Sequence, residues 1–151
     1  MLDAKDKVIL NILQENAKTT NAEIARKVGM APSAVLERIR KLEKKGVIGS
    51  YETRLNAKNL GLDITTYVLI RTDESIASSG VGKKLAEIAE LQEVHVMAGE
   101  FSYLIKVRVK NTDALARLLK DVGKIKGAKD SKTMLVLETL KETSAISLGD
   151  C

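Results

Sequence analysis

Residues 20–46 read TNAEIARKVGMAPSAVLERIRKLEKKG, and this stretch decides how the rest of the chain is understood. Thr20 and Glu23 have the S/T-x-x-E spacing of a capping box, in which the hydroxyl takes one orphan amide and the carboxylate returns to the N–H of the cap residue. A helix is therefore predicted from about Asn21. It should stop at Gly29, which can adopt the left-handed backbone common at helix C-termini. Pro32 suits the first turn of a following helix, where its missing N–H would be unpaired anyway. At about 100° per residue the second helix gathers Val35, Leu36, Ile39 and Leu42 on one side. Ser33, Ala34, Glu37, Arg38, Lys41, Lys44 and Lys45 lie on the other. Short side chains in the first turn allow close approach to base edges, and the basic residues further along can reach phosphates. This is the layout of a helix-turn-helix whose second helix enters the major groove. A solvated charged face is the alternative for an isolated basic helix, and the capped helix and turn before it favour the DNA reading.

Charge distribution points the same way. The chain of 151 residues has a net charge of +5, with 44% hydrophobic and 30% charged residues. Residues 1–60 hold twelve Lys and Arg against seven Asp and Glu, whereas residues 61–151 hold thirteen of each, so the whole excess lies in the first part. A polyanion-binding module followed by a neutral one accounts for this, since neutralising phosphates supplies most non-specific DNA affinity. No apolar run has the length of a membrane span and MLDAKDKV is too charged for a signal peptide, so no membrane partner and a cytoplasmic location are expected. A lone cysteine, Cys151, excludes an intrachain disulfide and a cysteine-based zinc site. With His95 the only histidine, metal clusters and Ser/His/Asp triads are disfavoured, and neither a metal, a cofactor nor a catalytic residue is expected.

Outward from the central stretch, Leu2–Asn16 is predicted as a first helix, with Asp3 as cap and Val8, Ile9, Ile12 and Leu13 as its apolar stripe. VIGSYETRLN, residues 47–56, has β character and would form the wing; Arg54 and Lys58 read first as plain surface charges, with phosphate contact from the wing as the alternative. The winged helix-turn-helix is assigned to residues 1–56, a linker to 57–63, a second domain to 64–143 and a tail to 144–151. That second domain reads as strand 64–70, helix 81–91, strand 93–98, strand 104–109, helix 113–125 and strand 133–140. Its two strand-helix-strand halves have almost the same spacing. The predicted fold class is thus α+β: a winged helix-turn-helix, then a ferredoxin-like βαββαβ domain with both helices on one face of the sheet. Ile64–Ile70 and Met134–Leu137 are apolar at odd and even positions alike, so the other face also needs cover. A second copy of the domain would supply it, giving a two-fold dimer with two recognition helices and a preference for a roughly palindromic operator.

Three local motifs are weaker. SSGVGKK, residues 78–84, suggests a phosphate loop, but Ala77 stands where the first glycine belongs and Lys84 where a hydroxyl would hold magnesium, which leaves a lead-in to a helix. His95 reads as a partly buried or interface residue. Gly99, Glu100, Phe101, Ser102 and Tyr103 form a turn between the two central strands, and composition fits either hairpin geometry or the edge of a small-molecule pocket.

LDAKDKVILNILQENAK, EIARKVGM, PSAVLERIRKLEKKGVI, GEFSYLIKV and TMLVLETLKE together resemble the Lrp/AsnC, or feast/famine, transcription regulators, in order and across nearly the whole chain. The resemblance implies a ferredoxin-like domain of the RAM or ACT-like kind that dimerises and assembles further to octamers. It also implies a small effector, commonly an amino acid, near Gly99 to Tyr103 and near the strand beginning at Thr133. Three positions depart from the family's pattern: Ala31 replaces a hydroxyl cap, Ser102 a carboxylate, and Gly49 a basic residue of the wing. The function expected is a DNA-binding transcription regulator that senses a metabolite. The alternatives are an architectural DNA-binding protein acting without a ligand and an enzyme similar to the siroheme decarboxylases.

Overall fold

The computed structural model describes residues 2–75 and 78–149. The chain forms two compact units, one from residues up to Arg54 together with those from Lys141 onward, the other from Leu55–Leu140. Cys151 and Ala77 lie outside the described residues.

Three helices make the first unit: α1 (Ala4–Glu15), α2 (Asn21–Val28) and α3 (Pro32–Lys44). Asp3 caps α1 through a full capping box, the Asp6 amide donating to Asp3 Oδ1 at 2.8 Å and the Asp3 amide to Asp6 Oδ2 at 3.2 Å. The box at α2 is formed as expected, with the Glu23 amide on Thr20 Oγ1 and the Thr20 amide on Glu23 Oε2. Gly29 ends α2 with φ 64° and ψ 48°, a left-handed conformation that strains any residue with a Cβ. Pro32 opens α3, where Ala31 offers no side-chain acceptor. Ile9, Ile12, Ile24, Ala25, Val35 and Ile39 interlock as the core. Leu36 departs from the expected buried face and is 36% exposed, because its wheel angle lies at the margin of the stripe centred on Val35, Ile39 and Leu42.

Residues 47–56 differ from the expected β wing. They form no strand in the described chain, since an extended segment becomes a strand only where a neighbour pairs its N–H and C=O groups. Residues 141–149 belong with the helices: both ends of the Gln14 amide bond to the backbone of Ile146, and Arg54 pairs with Glu142 at 2.9 Å.

The second unit is a four-stranded antiparallel sheet of order β2-β3-β1-β4, from β1 (Ile64–Thr72), β2 (Leu91–Val96), β3 (Tyr103–Val109) and β4 (Ala128–Leu135). Helices α4 (Gly80–Ala86) and α5 (Thr112–Gly123) complete the βαββαβ order. Val68 and Ile70 of β1 and Tyr103, Ile105, Val107 and Val109 of β3 bury against Val81 and Leu85 of α4 and Leu118 and Val122 of α5. Two elements are displaced from expectation. The first helix ends at Ala86 instead of residue 91, and the last strand runs from Ala128 to Leu135 instead of from 133 to 140. Beyond it Leu137 and Leu140 are 93% and 88% exposed. The opposite face is mixed in character, not uniformly apolar. Half-buried Tyr67, Leu69 and Leu104 share it with Lys106, whose ammonium meets Glu93 Oε1 at 3.1 Å and lies 5.9 Å from the centre of the Tyr67 ring. His95 is on this face too, 3.2 Å from Glu93 Oε2, and its side chain is largely exposed.

Candidate nucleic-acid interface and effector turn

Helix α3 presents its polar residues as a continuous outer face because Val35, Ile39 and Leu42 are committed to the core. Ser33, Glu37, Lys41, Lys44 and Lys45 are exposed and Ala34 is half-buried. Glu37 and Lys41 pair at 2.7 Å across one turn, a solvated i,i+4 contact that water screens and that yields readily to a stronger anion. Lys41 holds the Glu37 carboxyl below its usual range. Lys44 and Lys45 have no ion pair or side-chain hydrogen bond among the described residues. The same is true of Arg40, which the sequence reading left out of the outer face although it is exposed. At about 100° per residue Ser33, Glu37, Arg40 and Lys44 occupy the sector directly opposite the buried stripe, and working out that angle for every position would have included it.

Arg38 is placed differently from its neighbours. Its Nη1 lies 2.6 Å from Asp3 Oδ2 and 2.7 Å from Asp6 Oδ1, with the side chain 30% exposed. Hydrogen bonds to both carboxylates raise its already high pKa. The Asp6 amide first and Arg38 second hold the Asp3 carboxyl below its usual range. Just after the helix, burial and then Glu43, whose carboxylate accepts the Tyr51 hydroxyl at 2.9 Å, push that phenol up to about 12.

In the sheet unit Gly99 (φ 133°) turns the chain after β2. The Ser102 amide donates to Ile70 O, the Met97 amide to Ser102 O, and Thr72 Oγ1 to Ser102 Oγ at 2.9 Å, so the turn is tethered to the end of β1. Glu100 is exposed and Phe101 half-buried. Arg71 reaches Asp130 at 3.0 Å and Glu100 at 3.9 Å. Thr133 is exposed on β4 opposite Val68. Tyr103 leaves the group: it is 1% exposed, packed in the helix-side core, and its hydroxyl donates to Glu74 Oε2 at 2.8 Å. Glu74 Oε1 accepts the Val81 amide at 2.9 Å and so caps α4. That amide foremost, then the Tyr103 and Ser78 hydroxyls, hold the Glu74 carboxyl below its usual range. Gly82 of the stretch that suggested a phosphate loop serves packing, since a Cβ there would lie 2.5 Å from Tyr103 Cε1. Among the described residues no group of three His, Cys, Asp or Glu could hold a metal ion, and no helix is long and apolar enough to cross a membrane.

A basic helix-turn-helix with a separate βαββαβ unit defines a class, the DNA-binding regulators that carry a ligand-binding domain. Residues 2–48 match the winged helix-turn-helix DNA-binding family, and residues 65–146 match the Lrp/AsnC ligand binding domain. The HTH-type transcriptional regulator FL11 of Pyrococcus furiosus is 36% identical over 97% of this chain and 96% of its own. The leucine-responsive regulatory protein of Haemophilus influenzae is also 36% identical, over 97% of this chain and 90% of its own. The structure of a Neisseria meningitidis transcriptional regulator in complex with L-Met superposes with a TM-score of 0.92 at 25% identity, covering 98% of this chain and 97% of that one. Escherichia coli AsnC gives 0.89 at 27% identity, covering 96% and 98%. The chain belongs to the Lrp/AsnC family of transcription regulators.

Proposed function

We propose that this protein is a non-catalytic, cytoplasmic regulator that binds double-stranded DNA in a sequence-specific manner and responds to a small metabolite of the amino-acid class. It acts as a homodimer that assembles further to an octamer. The observation that carries the reading is the outer face of α3, with small side chains at its start and, further along, Arg40, Lys44 and Lys45 without an ion pair among the described residues. Ser33, Ala34 and Glu37 approach base edges, together with Arg40, while Lys41, Lys44 and Lys45 lie along phosphates. Two copies of this face would read a roughly palindromic operator. The half-buried apolar residues opposite the helices of the sheet support pairing with a second copy. The turn of Gly99, Glu100, Phe101 and Ser102, beside Arg71 and Asp130 and on the sheet that includes Thr133, supports an effector site, and the L-Met complex of the Neisseria relative supports an amino acid as its occupant.

The test is salt-dependent binding to duplexes selected from random DNA. Replacing Lys44 and Lys45 by Gln should weaken binding to all sequences alike and flatten the log–log salt slope by about 0.9 per lost phosphate contact. An unchanged slope refutes that assignment. Sedimentation as a monomer at micromolar concentration refutes the dimer. A melting temperature unmoved by every amino acid refutes an amino-acid effector, because a ligand that binds only the native state must raise it.

A further inference from the structure

The two carboxylates at the start of α1 have divided their oxygens between two tasks. Asp3 Oδ1 and Asp6 Oδ2 close the capping box, and Asp3 Oδ2 and Asp6 Oδ1 both accept from Arg38 Nη1, at 2.6 and 2.7 Å. The helix backbone therefore orients both anions, and neither can follow Arg38 outward without uncapping α1. For Arg38 to reach a DNA phosphate it would break two charge-assisted hydrogen bonds and leave two carboxylates unpaired beside the incoming polyanion. The Asp6 side chain is only 16% exposed, so water would compensate it poorly. Arg40, Lys44 and Lys45 carry no such restraint.

We propose that Asp3 and Asp6 are specificity-determining residues that occupy Arg38 as phosphate oxygens would, making it a positioning residue that fixes α3 against α1 and withholds one cation from the DNA backbone. The inference rests on the DNA-binding reading above. Its consequence is a ratio. Non-specific affinity scales with the phosphates neutralised, whereas base readout depends on where the start of α3 is held, so the clamp lowers the first and preserves the second.

The experiment is fluorescence anisotropy of the full chain with two labelled duplexes, one selected from a random pool and one unrelated, between about 50 and 200 mM salt. The D3N/D6N variant frees Arg38 while keeping an effective cap at position 3, since Asn caps as well as Asp. It should bind the unrelated duplex several-fold more tightly, steepen the salt slope by about 0.9 and narrow the selected-to-unrelated ratio. R38Q should leave the slope on the unrelated duplex in place and lower affinity for the selected one, with R38K recovering part of that loss. Should D3N/D6N fail to fold by circular dichroism, R38Q decides alone. A slope flattened by about 0.9 in R38Q, with both duplexes losing affinity equally, shows Arg38 on a phosphate and overturns the clamp alone. An unaltered slope and ratio in a folded D3N/D6N overturn it as well. If the unaltered chain binds no duplex at all, the DNA-binding reading fails and the clamp's role falls with it.

Discussion

Replacing Gly82 with Ala should destabilise the sheet unit, although the same change at an open helical glycine normally stabilises a protein. Its backbone is not in the left-handed region and it sits within α4, so intrinsic propensity alone favours Ala by about 0.8–1.0 kcal/mol. The new Cβ would lie 2.5 Å from Tyr103 Cε1, 3.1 Å from Cζ and 3.2 Å from the hydroxyl oxygen. The ring has little room to move, because it is enclosed by the core and its hydroxyl is held by Glu74, which also caps α4. Either the ring shifts and weakens its hydrogen bond to the Glu74 carboxylate, or α4 lifts from the sheet at an overpacking cost of about 1–3 kcal/mol. After the propensity gain is subtracted, a net loss of up to about 2 kcal/mol remains. In a unit of this size that is a fall of up to about 15 °C in the melting temperature. The assay is thermal unfolding by circular dichroism, with G123A as control, because nothing lies within 4 Å of a Cβ built on Gly123 and its φ is not positive. G123A should be neutral or stabilising. In the Y103L background G82A should lose most of its effect, which makes the pair non-additive. A G82A protein as stable as the parent refutes the packing argument.

Two further outcomes are expected. A31S should stabilise the first unit by about 1 kcal/mol, because the N-cap of α3 has extended backbone (φ −70°, ψ 144°) but no side-chain acceptor; a melting temperature that stays put or falls counts against an open cap. The Glu74 carboxyl is held below its ordinary value of 4.5, so on acidification the unfolded chain takes up the proton first. Its contribution is then complete above about pH 4.5 and is lost as pH falls through the lower native value. The gap in melting temperature between the parent and E74Q should therefore shrink between about pH 6 and 3, and a gap of constant size refutes the assignment.

The helix-turn-helix was legible to within a residue because its boundaries are set by contacts only three or four positions apart. Thr20 with Glu23, Gly29 and Pro32 carry their own geometry, and the 3.6-residue period marks which side of α3 is buried. The βαββαβ order was legible for a related reason, since the apolar run of β1, the alternation of β3 and the nearly equal spacing of the two strand-helix-strand halves each mark strands within a short span of sequence. The last strand was misplaced because AKDSK, residues 128–132, has no apolar alternation. It is a strand only because β1 offers it a ladder, with Arg71 facing Asp130 and Ile70 facing Ser131. Residues 47–56 show the converse, with β character and no strand pairing among the described residues. Tyr103 could have been recovered from parity, as it shares its face with Ile105, Val107 and Val109, but its bond to Glu74 spans 29 positions. Arg38 could not have been resolved from the helix wheel, which marks it as polar and outward. Its partners stand 32 and 35 positions earlier, and which charge meets which across such a separation follows from how the packed helices bring them together.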